Sequence, residues 1–241
     1  MSKKAVLVIG AGDATGGAIA RRFAREGYAA VIVRRDAENL KELTDQIVAE
    51  GGEAHPFGVE ARKEDQVVDL FARIEAEIAP LEAVVFNIGA NVNFGIVETT
   101  ARVYTKVWEM AAFAGFLTGR EAAKHMLPRG RGTILFTGAT ASLRGGKGFS
   151  AFAGAKFALR ALAQSMAREL GPQGIHVAHS IIDGAIDTAF IAQNFPEQYS
   201  LKDRAGILNP DHIADNYWHL HQQPRSAWTH ELDLRPWMES W

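Results

Sequence analysis

Five short apolar runs constrain the fold of this chain more than any other feature: "AVLVIG" (5–10), "AAVIVR" (29–34), "EAVVFNIG" (82–89), "GTILFTG" (132–138) and "GIHVAHSIID" (174–183). A strand with one solvated face alternates apolar and polar residues. These runs do not, so both of their faces must be covered, as in a parallel sheet between helical layers. The segments between them fit that arrangement. Residues 14–26, 37–50, 63–78, 101–127 and 149–170 repeat apolar side chains at helical spacing, with Val67, Leu70, Phe71, Ile74 and Ile78 as one stripe. "EAHPFG" (53–58) reads as a weaker strand and "AWTHELDL" (227–234) as a late one. Strand followed by helix, repeated without linker or low-complexity run, predicts one α/β domain over 1–241. Its sheet is doubly wound and mainly parallel, of about seven strands, with helices on both faces.

Composition removes several classes of function. Net charge is -2, so neither nucleic acid nor an anionic membrane is expected as a partner. There is no cysteine, which excludes disulfides, thiolate nucleophiles and cysteine–zinc sites, and fits a reducing cytoplasm. The apolar run after Lys3 and Lys4 is broken at Gly10, too early for a signal peptide, and no window is long enough to span a membrane. A soluble, cytoplasmic protein is expected.

"VIGAGDATGGAIARRFAREG" sets Gly10, Gly12, Asp13 and Gly16 directly after the first strand and at the opening of the first helix. Glycines there allow a tight turn and close approach of a pyrophosphate, whose charge the helix N-terminus favours. The second strand ends in "VRRD", at the place where an adenosine ribose would lie. An acidic residue there would suit the ribose hydroxyls, whereas Arg34 and Arg35 suit a 2′-phosphate. The expected cofactor is therefore NADP(H), with NAD(H) as the alternative.

From these residues the chain resembles the short-chain dehydrogenase/reductase family over nearly its whole length, which implies a Rossmann-type fold. That family's glycine motif, T-G-x-x-x-G-x-G, appears as "IGAGDATG", with Gly10 and Gly16 matching and Gly12 added. Its N-N-A-G motif appears as "FNIG", so Asn87 and Gly89 fall in the cofactor site. The resemblance also places Glu60 and Ala61 beside the adenine. In "DGAIDT" it assigns Gly184, Ile186 and Thr188 to the nicotinamide and phosphates. Lys156 matches the lysine that holds the nicotinamide ribose.

The family's catalytic serine and tyrosine fall at Ala139 and Phe152, and its helix asparagine at Ala111 or Ala112. The tyrosine of the family's enoyl-reductase branch falls at Phe149. A positioned acid contributes about 10²–10⁴-fold to carbonyl reduction, so ordinary alcohol–carbonyl chemistry is weakened. Three readings remain open. Another hydroxyl (Thr140, Ser142, Ser150 or Tyr104) takes over, the substrate is an imine or activated alkene that needs no such acid, or the protein is a non-catalytic NADP-binding sensor or scaffold.

Residues 91–99 and a substrate lid at about 185–208 are expected to shape a pocket for a small-molecule substrate, with Phe94, Phe190, Phe195 and Tyr199 on its walls. His219 and His221, two apart on a helix, do not share a face and have no carboxylate at ligand spacing, so no metal is expected. His176 and His179 are expected to be hydrogen-bonded strand histidines. Trp228, Trp237 and Trp241 crowd the C-terminal segment, which suggests cover by another subunit. By resemblance, a homotetramer or homodimer forms on the helices near 101–127 and 149–170.

Overall fold

The computed structural model describes residues 3–239. Trp241 of the aromatic tail lies outside them. Seven strands form one sheet: β1 (Ala5–Ile9), β2 (Ala29–Arg34), β3 (Glu53–Gly58), β4 (Leu81–Phe86), β5 (Gly132–Thr137), β6 (Ile175–Ile182) and β7 (Glu231–Leu234). Their order is β3-β2-β1-β4-β5-β6-β7, and every pairing is parallel. Both weaker strands of the sequence reading, 53–58 and 227–234, are present as the two edges. Edge position explains their weak pattern, since an edge strand can carry Glu53, His55 and Pro56 without losing a central ladder.

The helices connect and cover the strands: α1 (Thr15–Arg25), α2 (Lys41–Ala49), α3 (Glu64–Arg73), α4 (Ala101–Trp108), α5 (Ala114–Met126), α6 (Ser150–Leu170), α7 (Ala189–Asn194), α8 (Pro196–Tyr199) and α9 (Pro210–Gln222). Side chains alternate across β1. Val6 and Val8 join Phe23 of α1 and Tyr217 of α9 in one core, while Leu7 and Ile9 join Phe71 of α3, Leu117 of α5 and Leu159 of α6 in the other. The sheet thus has no solvated face, which is why its central strands have no polar alternation. Among the described residues, no helix is long and apolar enough to cross a membrane.

Two details depart from the expected elements. The helix expected over 101–127 is interrupted by a π-turn at Glu109–Phe113 that joins α4 to α5 and contains Ala111 and Ala112. The second is α9, which the strand–helix alternation did not assign. Its signals were present: Asn209 accepts from the Asp211 amide, Pro210 opens the helix, and Ile213, Ala214, Tyr217 and Leu220 form its buried stripe against α1.

The histidines are structural members of this core. His221 Nε2 meets the Tyr28 hydroxyl at 2.8 Å and its Nδ1 meets Thr133 Oγ1 at 2.9 Å. His176 Nε2 donates to the Thr229 carbonyl at 2.8 Å, and its ring stacks on Trp228 at 4.8 Å. His179 departs from the expectation: it is fully buried and neither ring nitrogen makes a hydrogen bond among the described residues, although Glu231 Oε2 lies 3.4 Å from Nδ1.

Burial pushes both His179 and His221 down to about 4. Unfolded imidazoles titrate near 6.5, so below that value the unfolded chain binds protons that the folded chain refuses. Stability from these groups is complete above about pH 6.5 and is lost as the pH falls toward 4. Urea midpoints should hold from pH 8 to 7 and then decline. His221→Gln, which keeps a donor and an acceptor but does not titrate, should remove part of the decline.

Candidate functional site

The carboxyl ends of β1, β4, β5 and β6 open onto one cavity of about 640 Å³. It lies where the chain order reverses, since β1 is followed outward by β2 on one side and by β4 on the other, so the loops leaving β1 and β4 diverge. The turn after β1 is fixed against β4. Gly10 has φ +89°, and a Cβ on it would sit 2.6 Å from the Asn87 carbonyl oxygen. Asn87 Nδ2 in turn donates to the Gly10 carbonyl at 3.1 Å. Gly16 is needed for the same close packing, because its Cβ would run into the Gly10 carbonyl. Gly12 differs: a Cβ there would meet nothing, so its glycine leaves space toward the cavity rather than relieving a clash.

Gly10, Gly12, Asp13, Gly16, Asn87, Gly89, Ala139, Thr140, Phe152, Lys156, Gly184 and Ile186 all line this cavity, as the sequence grouped them. Thr15, which that reading missed, also lines it at the N-terminus of α1. Its Oγ1 is buried and has no hydrogen-bond partner among the described residues. The missed signal was a hydroxyl residue at the first helical position after a glycine turn.

A second cavity of about 250 Å³ adjoins the first through Gly10, Gly12, Asn87 and Gly89, and holds Arg34, Arg35, Glu60 and Ala61. Arg62, a further residue not foreseen, binds Glu60 through Nε at 2.9 Å and Nη2 at 2.6 Å. That pairing holds the Glu60 carboxyl below its usual range. Arg34 Nη1 donates to the Asn39 carbonyl at 3.3 Å and lies 4.0 Å from Asp13 Oδ1.

At the other end of the main cavity sits Lys156, only 2% exposed. Its Nζ donates to the carbonyls of Thr137 at 2.8 Å and Ile88 at 3.1 Å, and lies 5.9 Å from the centroid of the Phe152 ring. Burial lowers its pKa to about 8. The substitute hydroxyls separate here. Thr140 lines the cavity and donates to Asp183 Oδ1. Ser142 is fully buried, with Oγ accepting the Ala139 amide at 3.1 Å, and does not reach the cavity. Ser150 and Tyr104 are also absent from its walls.

Two further expectations need correction. Thr188 does not line the cavity, because its Oγ1 caps α7 by accepting the Ile191 amide at 3.2 Å. Phe94, Phe190, Phe195 and Tyr199 are likewise not wall residues. Their loops pack outside, as when the Phe94 amide donates to the Gly148 carbonyl at 2.8 Å, and Phe190 packs on Phe195. The aromatic wall consists of Phe149 and Phe152.

Gly10→Ala would force a side chain into a left-handed backbone and onto the Asn87 carbonyl, so it should cost about 1–3 kcal/mol. A thermal melt reads this directly. Gly12→Ala should leave the melting temperature nearly unchanged.

The family model described as "short chain dehydrogenase" matches residues 4–199. A short-chain dehydrogenase from Rhodopseudomonas palustris is similar in structure, with TM-score 0.84 and 51% identity over 97% of this chain and 99% of that one. A metagenomic short-chain oxidoreductase, solved in complex with NADP, gives TM-score 0.83 and 25% identity over 97% of each chain. Gluconate 5-dehydrogenase of Gluconobacter oxydans is 28% identical over 177 residues, which is 73% of this chain and 69% of that protein. The match over residues 4–199 spans β1 to β6, the glycine turn and the cavity walls alike, and the chain belongs to the short chain dehydrogenase family.

Proposed function

We propose that this protein is an NADP(H)-dependent oxidoreductase of its family with a degenerate catalytic set, acting on a small organic substrate in the 640 Å³ cavity. The observation that carries the reading is the unpartnered buried Thr15 Oγ1 at the start of α1, beside the space left by Gly12. A buried hydroxyl without a partner costs free energy, and with the helix N-terminus behind it the site suits phosphate oxygens. The rest of the lining fits a dinucleotide. Arg34 and Arg35 would meet a 2′-phosphate, with Arg62 and Glu60 closing the adenine end. Asn87 and Gly89 would flank the middle, and Gly184 and Ile186 the nicotinamide. Lys156 would hold the ribose hydroxyls. The NADP bound by the metagenomic relative is consistent with this choice over NAD.

When bound, the nicotinamide supplies or accepts a hydride. The chain's own contribution is to orient it, exclude water with Phe149 and Phe152, and handle the proton. Phe152 and Ala139 stand where the family resemblance places a phenol and a serine, so proton transfer from those positions is unavailable. Thr140 is the one substitute hydroxyl on the cavity wall. With its proton directed at Asp183, its oxygen faces the substrate as an acceptor. This favours a substrate that presents an O–H or N–H, or an imine or activated alkene that needs little help. The absence of a phenol at 152 also supports a second reading, an NADP-binding sensor without turnover. The segment at about 185–208 acts as the lid in either case. The exposed Trp108, Phe116 and Phe157 on the α4–α5 and α6 surface suit a homodimer or homotetramer.

Fluorescence titration should give tighter binding for NADPH than for NADH. Arg34→Ala with Arg35→Ala should weaken NADPH binding about 10- to 100-fold, the scale of lost charge-assisted hydrogen bonds, and leave NADH little changed. Equal, weak binding of both would exclude the cofactor reading. Phe152→Tyr with Ala139→Ser should raise NADPH-dependent reduction of a carbonyl panel, and NADPH binding without consumption of any panel member, in either protein, would favour the sensor.

A further inference from the structure

The surroundings of Lys156 hold a feature that cofactor binding does not use. Its nitrogen has two protein acceptors, the carbonyls of Thr137 and Ile88. No carboxylate pairs with it among the described residues, and the apolar ring of Phe152 lies 5.9 Å from it. A neutral amine has two N–H groups and one lone pair, so two carbonyls satisfy both donors and leave the lone pair free. An ammonium would leave a third N–H with no protein acceptor among the described residues. The charged and titratable groups behind it do not supply a counter-charge. His179, from β6, is held neutral by burial, and Glu231 beyond it is engaged by Arg160 at 2.7 Å through both oxygens. Burial accordingly lowers the lysine to about 8. Because Lys156 is itself a wall residue, the lone pair has only the cavity to face.

We propose that Lys156 is a nucleophilic amine that captures small aldehydes and ketones as a Schiff base on the floor of this cavity. The lone pair of Nζ adds to the carbonyl carbon, and the C=O π electrons move to oxygen, which takes up a proton while the nitrogen gives one up. The resulting carbinolamine loses its oxygen as water, and the C=N bond forms. The net change is amine plus carbonyl to imine plus water, with no oxidant or reductant consumed, and hydrolysis reverses it. The walls suit an apolar carbonyl compound, since Ile88, Phe149, Phe152, Ile182 and Ile186 surround the space. This proposal extends the role of the same cavity but does not rest on cofactor binding, because the capture belongs to the protein without nucleotide.

The test treats the nucleotide-free full chain with butanal and cyanoborohydride at pH 7.0, which reduces the imine to a stable secondary amine. Peptide mass spectrometry then reads the rate of butylation at each lysine. Lys156 should react at least about tenfold faster than the exposed Lys63 and Lys147, because burial lowers its own pKa to about 8 and enlarges its neutral fraction at that pH. Lys156→Met should abolish the fast component. If that variant does not fold, the site-resolved rates of the unaltered protein decide alone. Labelling of Lys156 no faster than of Lys63 and Lys147 would overturn the proposal. Saturating NADPH, whose binding is measured separately by fluorescence, should protect Lys156. Fast labelling without NADPH binding would sink the cofactor reading and leave this one standing, whereas NADPH binding with slow labelling would do the reverse.

Discussion

The close approach of the Gly10 turn to Asn87 is the contact on which the site depends. The Gly10 carbonyl accepts from the Asn87 side chain, the Asn87 amide donates to Ile9 at 2.8 Å, and neither Gly10 nor Gly16 has room for a Cβ. This knot ties the end of β1 to the end of β4 at the reversal of strand order. The glycine turn can then leave to one side and the loop after β4 to the other. Both cavities open from it, one toward Arg34, Arg35 and Glu60 and one toward Lys156. A Cβ at this point would force the ends of the two strands apart and disturb the walls of both cavities.

The main cavity is divided in its chemistry. Around the glycine turn, polar atoms await a partner, as Thr15 Oγ1 does. Around Lys156 they are already satisfied within the protein. The Thr137 and Ile88 carbonyls take the lysine, Asp183 takes Thr140, and Ser142 takes the Ala139 amide. An apolar wall of Phe149 and Phe152 completes that end. The two halves therefore present different surfaces: an unpartnered hydroxyl at a helix N-terminus by the turn, and satisfied polar groups with an apolar wall near the lysine.

Much of this was legible in the chain. The unalternating strands required a covered parallel sheet, and motif position alone marks Gly10, Gly16, Asn87, Phe152 and Lys156 as one group. What failed has physical causes. Thr188 was assigned by motif position, yet its hydroxyl is consumed as a helix cap, an outcome that depends on where α7 begins. Phe94, Phe190 and Phe195 looked like pocket walls because they lie on the right edge of the sheet. Loop packing directs them elsewhere, and sequence spacing carries no information on loop direction. Arg62 escaped notice because a charged residue after a strand is usually solvated, and only the placement of Glu60 gives it a partner.

By itself the sequence determined the layer architecture, the strand that begins it, the glycine turn and the identity of the side chains near the lysine. These follow from local pattern: periodicity, turn chemistry and residue type. Tertiary structure alone decided which hydroxyl reaches the cavity, that His179 and His221 are held neutral, and that Lys156 has two acceptors and no counter-charge among the described residues. Those are properties of burial and of partners distant in the chain. Ile88 and Thr137 come to Lys156 from the loop after β4 and the end of β5, 68 and 19 residues away, and no spacing in the sequence specifies that meeting.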